Sequence, residues 1–362
     1  MQVTARRYRA RVTSSAPRGR RLAVLSVGFA LTATFAPFAQ SPAPANDALP
    51  ASATSTALRI NGKQVLAISL DGFNVNVLKR IGPRGTPNLH RLFRTSASTK
   101  NARTQIEMTV TLPNHTSQVT GRPIDVANDG HGVTWNTHLP RRTIQSHGAG
   151  PIESIFTSVH GAGRTTALFA TEQKFSLWKR SWPNAVNRST IVQDGDHAVT
   201  LAARRDLLRR NRAFTFVHLG AMDEAGHAHG WMSPRYKRAA RLVDAQLGIL
   251  LKTIRDHRRL HDVRIVLTAD HGGKAGARDH SNVAEYANYR IPFLIWGPGV
   301  DRGDLYSMNP TYADPGTAQV GFNGDPQPIR NGDLANVSAS LLGISAVPGS
   351  LWGQDLSLTW HD

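Results

Sequence analysis

Residues 263–273 read VRIVLTADHGG, a short, nearly continuous apolar run that stops at an acid, a histidine and two glycines. Aliphatic and β-branched residues without polar alternation fit a strand covered on both faces, as in a parallel sheet. The same form recurs at residues 65–70 (VLAISL), which run into Asp71, and at residues 214–219 (FTFVHL), which reach Asp223 through Gly220, Ala221 and Met222. Residues 166–169, within TTALFA, and residues 292–296 (PFLIW) are further strand candidates. Segments of helical period lie between them. Residues 236–254 place Leu242, Val243, Leu247, Leu250 and Leu251 on one face and Lys237, Arg238 and Arg241 on the other; residues 333–342 end at Gly343. This alternation predicts an α/β fold, a doubly wound, mostly parallel sheet with helices on both faces.

The chain has 362 residues, 43 Lys+Arg against 25 Asp+Glu, and no cysteine. A disulfide scaffold, a thiolate nucleophile and a Cys-ligated metal are thereby excluded. The net charge of +18 would ordinarily raise nucleic acid or an anionic membrane as partners, but its distribution matters more than its sum. Seven arginines fall in the first 21 residues and no acid precedes Asp47; residues 22–39 are uncharged and apolar, and Ala43-Pro44-Ala45 follows. Basic, apolar and small-residue segments in that order form a signal peptide over residues 1–45, with Arg20-Arg21 suggesting the twin-arginine route. A retained anchor is the competing reading. Subtracting the seven arginines leaves +11 on a mature chain of 317 residues. The expectation is an exported protein, periplasmic or extracellular, with no nucleic-acid partner and membrane contact only during export. Residues 46–61, rich in Ala, Ser, Pro and Thr, read as a linker, and residues 62–362 as one catalytic domain. Arg204, Arg205, Arg209, Arg210 and Arg212 read as a solvated helix face.

Three strands that each run into an acid would bring Asp71, Asp223 and Asp270 to one edge of the sheet, where open α/β folds bind ligands. His227 follows Asp223 by four residues, His271 adjoins Asp270, and His280 comes nine residues later. Ionised carboxylates gathered in this way repel one another unless a cation intervenes, and neutral imidazoles complete a donor set suited to Zn²⁺ or a similar divalent ion. In TVTLPNHTS, residues 109–117, Pro113 is placed to begin a helix, with Thr111 just ahead of it. A helix N-terminus attracts phosphate, and a nearby metal would turn the Thr111 hydroxyl into a nucleophile.

Together these segments resemble the type I phosphodiesterase/nucleotide pyrophosphatase family of the alkaline phosphatase superfamily. The resemblance runs from Val65 to about Leu356 through Leu70-Asp71-Gly72-Phe73, Thr86-Pro87-Asn88-Leu89, Thr111-Leu112-Pro113-Asn114-His115, Thr120-Gly121, His131-Gly132, Asp223 to His227 with His229-Gly230, and Thr268-Ala269-Asp270-His271-Gly272-Gly273. It implies an alkaline phosphatase-like fold and two divalent metal ions, zinc by donor type. Asp71, Thr111, Asp270 and His271 would hold one ion and Asp223, His227 and His280 the other, with Asn114 helping to hold a phosphoryl oxygen. It further implies attack by Thr111 on the phosphorus of a small phosphate ester, a phosphothreonine intermediate, and its hydrolysis by water. Two departures stand out. Leu112 occupies the place of an aromatic residue that stacks on the base in nucleotide-hydrolysing members, and the last metal histidine is His280, with the terminal His361 as the alternative. A Cys/Ser-x-Pro-x-Arg motif is absent, which argues against sulfate esters. Lys174 reads as a solvated lysine, His115 as structural, and Trp231 as either pocket lining or packing. The alternatives to a phosphodiesterase are a phosphomonoesterase or phosphonate hydrolase of the same superfamily and, from another class, an inactive relative that binds at the cell surface.

Overall fold

The computed structural model describes residues 63–147 and 150–361; the expected signal peptide and linker lie outside the described residues. In chain order the strands are β1 (Gln64–Leu70), β2 (Ala97–Arg103), β3 (Thr166–Ala170), β4 (Arg188–Ile191), β5 (Phe214–Leu219), β6 (Val263–Thr268), β7 (Arg290–Trp296) and β8 (Gly303–Asp304). They form one sheet in the order β4-β3-β5-β1-β6-β7-β2-β8. β1 is buried along its whole length between β5 and β6, both parallel to it, with Ile68 opposite Val217 on one side and Leu267 on the other. β3 and β4 continue the parallel part, whereas β7 runs antiparallel to both β6 and β2.

The five apolar runs all form strands, because a strand inside a two-faced sheet has no polar side to reveal an alternation. β2, β4 and β8 do not announce themselves. β2 reads ASTKNAR and sits near the edge with a register shift between Thr99 and Ala102; β4 is four residues of RSTI at the other edge. Sheet edges need fewer apolar side chains, so apolar content alone misses them.

Helices Pro87–Arg94, Asp196–Arg209 and Pro234–Asp256 pack in one layer, and Thr111–Thr120, Ile155–Gly161 and Asp333–Leu342 in another. The longest starts at Ser233, whose hydroxyl accepts the Tyr236 N–H at 3.2 Å, with Pro234 in the first turn. Val243, Leu247, Leu250 and Ile254 form its buried stripe. Leu242 departs from expectation: it is 56% exposed, because it lies about 100° around the helix from Val243. No helix among the described residues is long and apolar enough to cross a membrane.

Candidate active site

The C-terminal ends of β1, β5 and β6 meet at one edge of the sheet, and the first residues beyond them carry the chemistry. Asp71 follows β1 directly and its N–H still bonds Leu219 O at 3.0 Å, so the ladder fixes its backbone. Gly72 then turns with φ +64°; a Cβ there would lie 2.9 Å from Asp223 Cα. Only glycine allows the chain after β1 to pass so close to the helix after β5. The Gly72 N–H donates to Asp270 Oδ1 at 3.2 Å, and its carbonyl accepts from Trp231 Nε1 at 2.9 Å and Tyr236 Oη at 2.7 Å. One glycine thus joins all three acidic segments.

Asp223 and His227 lie one turn apart on helix Ala221–His229, with Asp223 Oδ2 3.4 Å from His227 Nε2. His280 Nε2 stands 3.1 Å from His227 Nε2 and 3.8 Å from Asp223 Oδ1. His271 Nε2 lies 3.3 Å from Asp71 Oδ1, 3.1 Å from Asp270 Oδ2 and 3.7 Å from Asp223 Oδ1. Thr111 Oγ1 is 3.4 Å from the same nitrogen. All seven residues expected to hold metal therefore converge. His280 is the late histidine that joins them; His361 lies elsewhere, half-exposed beside Asp301.

Each histidine in the cluster is turned the same way. His271 Nδ1 donates to Gly272 O at 2.8 Å, His280 Nδ1 to Thr109 O at 2.5 Å and His227 Nδ1 to Arg278 O at 2.8 Å. Their Nε2 atoms are left facing the carboxylates, the tautomer a metal ligand requires. Asp71 Oδ1, Asp223 Oδ1 and Asp270 Oδ2 are buried without a hydrogen-bond partner. Orphaned carboxylate oxygens are costly, and a cation is the group that removes the cost of all three at once. Asp71, Asp270 and His271 have ligand atoms mutually within 4.8 Å, as do Asp223, His271 and His280, so the donor set fits divalent ions.

The electrostatics agree with that fit. Burial opposes ionisation of Asp71, yet the hydrogen bond from His218 and the facing His271 imidazole outweigh it and hold its carboxyl well below the usual range. Burial and the neighbouring Asp71 push Asp223 well up and Asp270 to about 6. Burial and His271 push the His280 imidazole down to about 3, so it is neutral and available as a donor. Protein groups alone leave the three carboxylates in competition for ionisation.

Two site expectations need correction. Thr111 is not ahead of its helix but is the first residue of Thr111–Thr120; Asn114 N makes the first bond, to Val110 O at 3.1 Å, so Pro113 costs no hydrogen bond. Asn114 does not offer its amide to a substrate. The side chain is fully buried, its Oδ1 accepts from Gln105 N and Asn331 Nδ2, and its Nδ2 donates to Met108 O and Val110 O.

Asn136 stands beside Thr111 instead: it is exposed, and its Oδ1 accepts from Leu112 N at 2.9 Å and Lys174 Nζ at 3.1 Å. Lys174 is not solvated; its side chain is 11% exposed and pairs with Glu172 at 2.5 Å. Glu172 offers a carboxylate oxygen within 4.8 Å of ligand atoms of Asp71 and Asp223. His218, wholly buried on β5, donates from Nε2 to Asp71 Oδ2 at 2.8 Å while Nδ1 meets Thr171 Oγ1 at 3.0 Å. The apolar context of FTFVHL hid it, although a histidine inside a strand that ends at a functional edge is itself a signal. Trp231 packs rather than lines a mouth, being 1% exposed in a notch left by Gly226 and Gly273. His115 is held in the core by its bond to Thr111 O at 2.9 Å and by Phe175.

The type I phosphodiesterase/nucleotide pyrophosphatase family matches residues 65–317. The chain belongs to this family. Ectonucleotide pyrophosphatase/phosphodiesterase family member 3 of Mus musculus is 28% identical over 222 residues, 58% of this chain and 24% of that protein. GPI ethanolamine phosphate transferase 1 of Neurospora crassa is 27% identical over 137 residues, 38% of this chain and 13% of that protein. The match thus spans a quarter or less of these curated relatives. The solved structure of murine ectonucleotide pyrophosphatase/phosphodiesterase 5 superposes with a TM-score of 0.59 at 17% identity, covering 81% of this chain and 100% of that one. An inactive variant of the same murine protein, solved in complex with AMP, superposes with a TM-score of 0.55 at 15% identity over 79% of this chain and 96% of that one. At this identity the likeness is one of fold, and it is the alkaline phosphatase-like fold expected from the motifs.

Proposed function

We propose that this chain is an exported, metal-dependent hydrolase of small phosphoric esters that works through a phosphothreonine on Thr111 and prefers diesters. The observation that carries the reading is the Thr111 hydroxyl at a helix N-terminus, 3.4 Å from His271 Nε2 and beside three orphaned carboxylate oxygens. In this reading Asp71, Thr111, Asp270 and His271 hold one divalent ion and Asp223, His227 and His280 the other, with zinc suited to the nitrogen and oxygen donors. Bound there, the ions would neutralise the carboxylates, lower the pKa of a hydroxyl or water and offset charge on the phosphoryl oxygens.

Thr111 Oγ1 gives its proton to solvent and bonds to phosphorus while the P–O bond to the ester group breaks on the opposite side, its electron pair leaving with the ester oxygen, which takes up a proton from solvent. Asn136 and Lys174 hold a non-bridging oxygen, aided by the positive end of helix Thr111–Thr120. Water then enters from the side the leaving group vacated, breaks the P–Oγ1 bond and restores the hydroxyl. Leu112 is fully buried and offers no face to a nucleobase, which favours a diester without a stacked base over a nucleotide. Export rests on the arginine, apolar and Ala-x-Ala segments of residues 1–45.

The test is a panel of aryl phosphate monoesters, bis-aryl diesters, nucleoside monophosphate aryl esters and phosphonates, run with wild type and Thr111→Ala. The reading expects the bis-aryl diester to lead and the variant to fail on every substrate. Unchanged turnover by Thr111→Ala would remove the nucleophile, and a monoester or phosphonate at the head of the ranking would favour the other branches of the superfamily.

A further inference from the structure

The parallel strands begin at the edge of the sheet opposite the carboxylate cluster, and there the charge is overwhelmingly of one sign. Helices Pro87–Arg94, Asp196–Arg209 and Pro234–Asp256 all end at that edge. A cation at each helix C-terminus complements the helix dipole and needs no further explanation. The edge carries more than that. Arg205, Arg209, Arg210 and Arg212 join Arg188, from the start of β4, around a recess of about 220 Å³. Among the described residues only Arg212 of these five has a carboxylate partner, Asp206 at 3.0 Å. Arg259, in the turn Arg258–Leu260, donates to Leu207 O and so ties this cluster to the end of the longest helix. Beyond it, Arg91, Arg255 and His261 rim a second recess of about 370 Å³, whose walls include Leu92, Leu251, Ile254 and Trp296. Acids on the edge are few: Asp206 and Asp256 are already paired, and the exposed Asp262 lies just ahead of β6.

Along one helix these arginines are a solvated face; across the edge they form a row of guanidinium groups beside an apolar hollow. We propose that this edge docks on an anionic lipid surface, beyond the passing contact that export requires. The arginines would meet headgroup phosphates, which guanidinium groups grip in a fixed fork, and the hollow would take an acyl chain. The hollow's walls are mainly aliphatic, Leu92, Leu251 and Ile254 against the single indole of Trp296, which favours an acyl chain over stacked bases. Docked in this way, the protein would hold the Thr111 edge away from the membrane, open to esters arriving through water.

The experiment compares the full chain with Arg209→Glu/Arg210→Glu/Arg258→Glu, three exposed positions remote from the carboxylate cluster. Both are sedimented with phosphatidylcholine vesicles, pure or with about one third phosphatidylglycerol, at about 0.1 M and about 0.5 M salt. Wild type is expected to favour the anionic vesicles by at least ~10-fold at low salt and to lose that preference at high salt. The triple variant is expected to lose most of the preference and keep its ester turnover. Because residues 1–62 also carry arginines and an apolar run, hydrogen exchange supplies the location: anionic vesicles should protect residues 205–212 and 255–262. Equal binding by the variant, protection confined to residues ahead of 63, or tight binding to an RNA homopolymer without protection by vesicles would each overturn the proposal.

Discussion

At the edge where β1, β5 and β6 end, charged groups are buried and lack enough partners; at the edge where those strands begin, most charged groups are exposed and solvated, the Arg212–Asp206 pair apart. Asp71 and Asp270 are wholly buried, Asp223 nearly so, and each leaves an oxygen unsatisfied. Arg205, Arg209 and Arg210 face water, which solvates them. Burial separates the two. In low dielectric an unpaired charge shifts its pKa or recruits a counter-ion, whereas in water the same charge costs almost nothing and matters only in numbers. Substitutions at the first edge should therefore disturb chemistry one residue at a time, and those at the second only in groups.

The largest expected effect is on turnover. Thr111→Ala should lower kcat by at least ~10²-fold, about 2.7 kcal/mol of barrier, in a steady-state assay with the best diester. Replacing the partner of a ligand rather than the ligand comes next. His218→Leu removes the donor to Asp71 Oδ2 and should weaken metal affinity roughly 10- to 100-fold in a chelator competition. Affinity within threefold of wild type would make His218 a packing residue. Gly72→Ala tests the crossing of segments: with φ +64° and Asp223 Cα 2.9 Å from the new Cβ, it should cost about 1–3 kcal/mol in denaturant unfolding.

A buried carboxyl away from the cluster gives a smaller effect with a definite sign. Asp333 accepts the Arg330 N–H at 2.7 Å, and burial pushes its carboxyl up to about 7. The folded state thus keeps a proton that the unfolded chain loses near pH 4, so this group's contribution to stability falls as pH rises from about 4 to 7. Asp333→Asn should narrow the difference in Tm between pH 5 and pH 8 by at least about 2 °C, read by calorimetry. Smallest of all, Arg209→Ala should stay within about 0.5 kcal/mol of wild type. A larger loss would mean that the basic edge holds structure and is not merely solvated.

The parallel core and the convergence of three acids could be read from residues 65–71, 214–223 and 263–271, because a buried strand is apolar throughout and the first acid after it marks its functional end. β2 and β4 escaped because edge strands tolerate ASTKNAR and RSTI. Within the site, the candidate metal donors were legible and their supports were not. Asn136 and Lys174 come from segments 25 and 63 residues beyond Thr111, joined only by the fold. Asn114 misled for the converse reason. It is three residues from Thr111 in sequence, but Gln105, Asn331 and two backbone carbonyls consume its amide.

The central claim is that two divalent cations hold the buried carboxylates together, and elemental analysis of the purified protein tests it most directly. About two bound ions per chain are expected for wild type, falling to about one or fewer for Asp223→Asn and for His227→Ala while the protein remains folded. Fewer than about one ion per chain in wild type, with no further loss in either variant, would contradict it.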